Sequence, residues 1–261
     1  MRINSVKKKL KQGEVILMAF LCSHDVRVTE IMSRSGIDLL ALDLEQNSFT
    51  DTEIVAIAKA ASSAGSSTII RTSSKDPFLL SHYMDLGVDG ILSTNCGGVE
   101  EAKIVVDAVK YPPIGNRGIS PQSPALNYGF IDEGMSFSDL IKHMNENTII
   151  ITTLETVAAV KEASLIAKIP HIDSVQIGPL DLAASMGCDA NPRSPEVQKL
   201  IAEANQEIMK AGSNIGDFVT SPDKISELLE KGIKIQLVGS DTSLLRQAAM
   251  AFGKAKVKAN K

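Results

Sequence analysis

The chain has 261 residues, a net charge of -4, and 44% apolar against 22% charged residues. That is enough chain to bury a substantial core, and the composition is far from that of disorder. The acidic balance argues against nucleic acid as a partner.

Two basic runs stand at the ends, "VKKKLKQG" (6 to 13) and "GKAKVKAN" (253 to 260), and both read as solvated helix ends. The following "VILMAFLC" is too short to span a bilayer and is followed by no convincing cleavage site, so it reads as a first buried strand and no membrane is expected. Short apolar runs then alternate with longer segments of helical spacing. The strand candidates are 15 to 20, 39 to 44, 67 to 72, 90 to 94, 148 to 154, 174 to 178, 214 to 219 and 233 to 239. Between them "TDTEIVAIAKAASSAG", "GVEEAKIVVDAVK", "SPEVQKLIAEANQEIMKAG" and "SPDKISELLEKG" read as helices, the last three opening on Gly or Ser-Pro and the last two closing on Gly. Eight strands alternating with helices predict an α/β fold, a (β/α)8 TIM barrel over 1–261 as one domain. An open doubly wound sheet is the alternative, but no GxGxxG follows the first strand. The stretch from Tyr111 to Asp132 breaks the alternation with Pro, Gly and Asn and reads as a long loop, a class that is usually functional or mobile. Three cysteines, Cys22, Cys96 and Cys188, share no metal-ligand spacing; they argue against a disulfide framework or a structural zinc and fit a reducing cytoplasm.

Barrel chemistry collects where strands end and βα loops begin. Those places hold His24, Asp25, Asp43, Glu45, Arg71, Asn95, Glu155, Asp181 and Asp241. Each acid alone reads equally as a helix N-cap or a surface carboxylate; their recurrence at equivalent positions is the signal. Glu155 and Asp181, one βα unit apart, are two hard oxygen ligands suited to Mg²⁺ or Mn²⁺, although Asp181 also reads as the N-cap of the helix beginning "LAAS". Gly178 and Pro179 precede that helix start, where free N–H groups favour a substrate carboxylate. Arg71 either faces the carbonyl or enolate oxygen of the same molecule or makes a salt bridge to a nearby acid.

The motifs "LLALDLEQ", "IIRTSSKDP", "MDLGVDGIL", "YPPIGNRG", "LETVAAV", "IGPLDLAASMG" and "VGSDTSLLRQAA" together resemble the HpcH/HpaI family of class II, pyruvate-dependent aldolases. "GPLDLAASMG" alone is also similar to the related citrate lyase β-subunits. The resemblance spans nearly the whole chain and implies a barrel whose last helix swaps between the subunits of a homo-oligomer, a hexamer or a dimer-based assembly. It implies that Glu155 and Asp181 hold the divalent metal, that Arg71 binds the keto oxygen of pyruvate, and that the amides of Leu180 and Asp181 receive its carboxylate. The implied substrate is a 2-oxo acid. The chain departs from the family where Asp-x-Glu-His becomes Asp43, Leu44, Glu45 and Gln46: the acid–base histidine is missing, and glutamine cannot take a proton. Thr153, Thr94, Asn95 and Cys96 also depart from it. His24 is the visible candidate for a compensating base, against the reading of a solvated loop histidine. The candidates for the chemical step are thus Arg71, Asp43, Gln46 and His24.

Overall fold

The computed structural model describes residues 4–259. Eight parallel strands pair in sequence order: β1 (Ile16–Leu21), β2 (Leu39–Asp43), β3 (Ser67–Thr72), β4 (Gly90–Ser93), β5 (Ile149–Leu154), β6 (Ser174–Ile177), β7 (Asn214–Phe218) and β8 (Ile233–Ser240). Pairing of β8 with β1 closes the sheet, which excludes the doubly wound alternative and establishes the (β/α)8 barrel.

Successive side chains of a strand alternate between faces, and here the alternation divides the core in two. Leu39 and Ala41 point inward with Ile16, Met18, Ile69 and Ile151 and fill the barrel. Leu42, Ile70 and Ile91 point outward into the layer beneath the helices. Each such aliphatic chain, fully buried, contributes roughly 1.5–3 kcal/mol.

The basic N-terminal run is not a solvated helix end. It forms the helix Ser5–Gln12, capped by Asn4, whose side chain accepts from the Val6 and Lys7 amides. Val6 and Leu10, one turn apart, are buried in the barrel-filling cluster and plug its floor. Lys7 bonds Asp173 at 2.9 Å and the Thr148 carbonyl at 3.0 Å, and Lys9 pairs with Asp38, all residues just ahead of strands. The second basic run falls in the last turns of the helix Asp241–Ala259, with Asn260 outside the described residues. That helix meets the body mainly through β1 and β8, and Leu245, Met250 and Phe252 are exposed on it.

The helix Asp51–Ala64 forms as its sequence predicts: Thr50 and Glu53 make a capping box, and Gly65 ends it at φ +99°. Val99–Val109 and Pro195–Lys210 also agree with expectation. "SPDKISELLEKG" differs, splitting into a single 3₁₀ turn, Pro222–Lys224, and a short helix, Ile225–Glu230. The three cysteines are unpaired, and among the described residues no helix is long and apolar enough to cross a membrane.

The Tyr111–Asp132 stretch is a long loop, relieved only by a 3₁₀ turn at Pro124–Gly129. Because it follows a helix rather than a strand, it lies at the face opposite the strand ends. It is anchored there. The Arg117 side chain is fully buried, stacks on Tyr111 at 4.4 Å and bonds Asp85 through Nε at 3.2 Å and through Nη2. Tyr111 in turn exchanges backbone bonds with the Asn145 side chain at 2.8 and 2.9 Å. Removing Asp85 leaves a guanidinium sealed away from water, whereas removing Arg117 leaves a carboxylate that still reaches solvent. Asp85→Ala is therefore expected to cost about 3 kcal/mol, and Arg117→Met distinctly less, in urea unfolding monitored by circular dichroism.

Candidate active site

The same two-residue alternation that fills the barrel places polar groups at its open end. After Leu39 and Ala41 the next inward position of β2 is Asp43, and after Ile69 the next inward position of β3 is Arg71; the two are paired in register. Arg71 Nη1 donates to Asp43 Oδ1 at 2.9 Å, and Nη2 lies 2.5 Å from Glu45 Oε2. Its guanidinium sits over the Phe20 ring at 4.7 Å. Asp43, 4% exposed, also receives the Asn47 side chain at 3.1 Å and the amides of Glu45 and Gln46 at 3.3 Å. Both of its oxygens are occupied, so Asp43 orients Arg71 and the β2 turn. The Glu45 contact is an ion pair off the hydrogen-bond direction: Glu45 Oε2 and Arg71 Nε are buried without hydrogen-bond partners. Gln176 Nε2, inward on β6, is a third such orphan at this end.

Glu155 follows β5 and Asp181 stands in the first turn of the helix Pro179–Ser185, whose N-cap is Gly178. Asp181 is therefore not the N-cap, and among the described residues no hydrogen bond or ion pair engages its side chain. Glu155 is pushed up to about 7, first by burial and then by the charges of Glu45 and Asp181, while Arg71 and a hydrogen bond from the Asn95 backbone pull it back. Burial is the larger cause of this rise, and the two neighbouring acids add to it. The donor set fits a hard divalent cation: it is all oxygen and under-neutralised. Among the described residues no group of three His, Cys, Asp or Glu side chains gathers as a metal cluster, so water and substrate would complete an octahedron around these two. Gly178 is required by this geometry, since a Cβ there would lie 2.7 Å from Glu155 Cγ.

The remaining expected residues divide. His24 Nδ1 bonds Glu53 Oε1 at 3.1 Å and its ring lies 4.5 Å from Phe49, which places it beside the turn carrying Gln46 without a contact to it. Gln46 itself is exposed. Asp25 is an N-cap, accepting from the Arg27 amide at 2.9 Å. Asp241 receives the Cys22 and Ser23 amides at 3.0 and 2.9 Å and so ties β8 to the end of β1. Sequence reading missed Lys75, whose ammonium reaches the Thr94 carbonyl at 2.8 Å in the same mouth. The signal was a lysine four residues beyond Arg71 in a βα loop. A cavity of about 510 Å³ lies instead at the opposite face, lined by Lys59, Tyr128, His143 and Asn147.

Comparison with known proteins places the chain in a family. Residues 16–248 match the HpcH/HpaI aldolase/citrate lyase family. The chain belongs to this family. A 4-hydroxy-2-oxo-heptane-1,7-dioate aldolase of Klebsiella pneumoniae is 32% identical over 252 residues, covering 95% of this chain and 92% of that protein. A 2-dehydro-3,6-dideoxy-6-sulfogluconate aldolase of Pseudomonas putida is 29% identical over 240 residues, 92% of each. Among solved structures, an HpcH/HpaI aldolase from Desulfitobacterium hafniense superposes with a TM-score of 0.88 at 24% identity, covering 97% of this chain and 96% of that one, which is a likeness of fold. In this HpcH/HpaI protein the acids and the arginine stand at the ends of four strands of one barrel mouth, β2, β3, β5 and β6.

Gly178 has an ordinary backbone conformation, φ -82° and ψ 100°, so a methyl group there strains nothing but Glu155. Gly178→Ala is expected to weaken Mn²⁺ binding roughly tenfold or more, read by calorimetry, with the unfolding midpoint nearly unchanged.

Proposed function

We propose that this protein is a metal-dependent carbon–carbon lyase that cleaves or forms a 4-hydroxy-2-oxo acid through a pyruvate enolate. The observation that carries the reading is the convergence, at one barrel mouth, of a guanidinium held by two carboxylates and of the acids Glu155 and Asp181. The curated relatives named as aldolases support the reaction class. The reading takes residues 1–261 as one barrel domain acting in the cytoplasm as a homo-oligomer, with the exposed Leu245, Met250 and Phe252 of the last helix offered to a second copy.

Glu155 and Asp181 would hold Mg²⁺ or Mn²⁺, which supplies Lewis acidity toward the keto oxygen of the substrate. Arg71 has two of its nitrogens committed to Asp43 and Glu45, so its charge is oriented before substrate arrives, and Nε is a buried donor without a partner. That donor is suited to the oxygen on which enolate charge develops. Pro179 has no N–H, so the first free amides of its helix are those of Leu180 and Asp181, and these receive the substrate carboxylate. Gln46 orients the aldehyde half by hydrogen bonds and moves no proton.

That last point favours a second reading. Aldol cleavage must take a proton from the 4-hydroxyl group, whereas decarboxylation of an oxaloacetate-like acid reaches the same enolate by losing CO₂. Condensation or decarboxylation at such an acid therefore suits a site with glutamine at this place, and a non-catalytic 2-oxo acid binder is the limiting case. Parallel assays of 4-hydroxy-2-oxo acid cleavage and oxaloacetate decarboxylation with Mg²⁺ or Mn²⁺ separate the three.

Arg71→Lys is expected to lower kcat on the order of 10²-fold or more, because a point charge cannot span two carboxylates and still present a fixed donor. Folding stability should change far less, and near-normal turnover would make the arginine structural. The proton question is read from two further variants. His24 is already bonded to Glu53 and packed against Phe49 at a tilt of 41°. Gln46→His is therefore expected to create or raise pyruvate release from 4-hydroxy-2-oxo acids, and His24→Ala to leave it unchanged. The reverse pattern would identify His24 as the compensating base.

A further inference from the structure

Beneath the acids, the inward faces of β5 and β6 carry a second polar pair. Ile149 and Ile151 fill the barrel, so the next inward position of β5 is Thr153 and the one after it Glu155. Val175 and Ile177 of β6 pack into the layer under the helices, which turns Gln176 and Gly178 inward. Thr153 and Gln176 are paired in register. They stand side by side on adjacent strands, one inward step below Glu155 and Gly178, whose own contact is so close that a Cβ on the glycine would lie 2.7 Å from Glu155 Cγ.

Both side chains are 9% exposed, and among the described residues no hydrogen bond to protein engages either one. The Gln176 carboxamide is fixed at one end. Its Nε2 is sealed without a partner and lies against β7, where a Cβ on Gly216 would come within 2.5 Å of it. Gly216 thus makes room for the amide, and Oε1 is the end of the group that is not sealed in this way; Thr153 Oγ1 is likewise outside the sealed set. The layers below are aliphatic, and an apolar pair here would simply continue them. Polar side chains this deeply covered are as a rule retained with a partner. Protein supplies none, so the partner comes from the mouth.

Two unmet acceptors on neighbouring strands match what one water molecule requires. Parallel strands stand about 4.8 Å apart, and the two acceptors of a single water lie about 4.5 Å apart when its bonds are about 2.8 Å long. A water ligand also extends a cation's hold to acceptors about 5 Å away, within the step of about 6.6 Å between successive inward positions of a strand. A cation strengthens its water as a donor and weakens it as an acceptor. Such a water needs lone pairs from the protein, which a hydroxyl and a carboxamide oxygen supply.

We propose that Thr153 and Gln176 are positioning residues that together accept the two hydrogen bonds donated by one water ligand of the cation, on the floor side of its coordination. The proposal rests on the reading of Glu155 and Asp181 as metal ligands. The strands that lead to those acids carry the two acceptors, so one register aligns both.

The test is Mn²⁺ calorimetry on the metal-free full chain, without substrate. Thr153→Val and Gln176→Leu keep the shape and remove the acceptors, and each is expected to weaken Mn²⁺ binding about tenfold. The unfolding midpoint of the metal-free protein should stay level or rise in both, since each removes a covered polar group that has no partner. Thr153→Ser, which restores the hydroxyl, should bind nearly as wild type; a loss equal to that of Thr153→Val would overturn the role of the hydroxyl. Sharing of one water makes the losses less than additive in the double variant, and fully additive losses would overturn the shared water. Where Gln176→Leu fails to fold, Gln176→Met replaces it. Wild-type affinity in either Thr153→Val or Gln176→Leu, with affinity lost in Glu155→Ala, overturns the proposal and leaves the metal site intact. Wild-type affinity in Glu155→Ala itself overturns both.

Discussion

Every feature of the mouth depends on the alternation of side chains along a β-strand. In a closed barrel the inward positions of eight strands share one narrow space, and each layer must be filled before the next begins. The lower layers are aliphatic, and the helix Ser5–Gln12 seals them from below with Val6 and Leu10. At the upper end the same faces carry Asp43, Arg71 and Gln176. A one-residue slip in β2 would send Asp43 among the helices and Leu42 into the mouth, so the site is as rigid as the register itself.

Electrostatics then sorts these groups. Arg71 is held by two carboxylates, Asp43 and Glu45, and this leaves it oriented but largely neutralised. Its remaining influence on Glu155 is too weak to offset burial and the repulsion from Glu45 and Asp181, so Glu155 is held far above an ordinary carboxylate. On the proposed reading, buried polar atoms lacking partners and, among the described residues, the absence of a side-chain cation on Asp181 suit a divalent ion rather than a second arginine. The two proposed roles, oxyanion donor and cation holder, are thus separated by which acids each group faces.

The side of the mouth formed by the first two βα units is built differently. Glu53 accepts from Thr50 through one oxygen and from His24 through the other, so a helix cap and a loop histidine share one carboxylate. Gln46 projects from a turn whose amides are gathered on Asp43. The turn geometry is therefore fixed by Asp43, and the residue at position 46 can change its chemistry without disturbing the turn. This separation is the physical reason a glutamine is tolerated where the family resemblance leads one to expect a histidine.

Much of this was legible in the chain itself. The eight strands fall within a residue of their apolar runs because inward and outward faces of a barrel strand are both buried, which writes each strand as a short continuous hydrophobic word. The acids and Arg71 were legible for the same reason, since polarity returns only where such a word ends. Other features were settled by tertiary structure alone. The basic helix at the start reads as solvated because lysines dominate it, and only the closed barrel supplies the floor that Val6 and Leu10 plug. The Tyr111–Asp132 loop reads as a candidate for function, but its face is decided by the element it follows. Lys75 and the Thr94 carbonyl lie 19 residues apart and meet because adjacent parallel strands bring successive βα loops together. Local pattern records which face a side chain takes; which distant backbone group it meets is decided when the sheet closes.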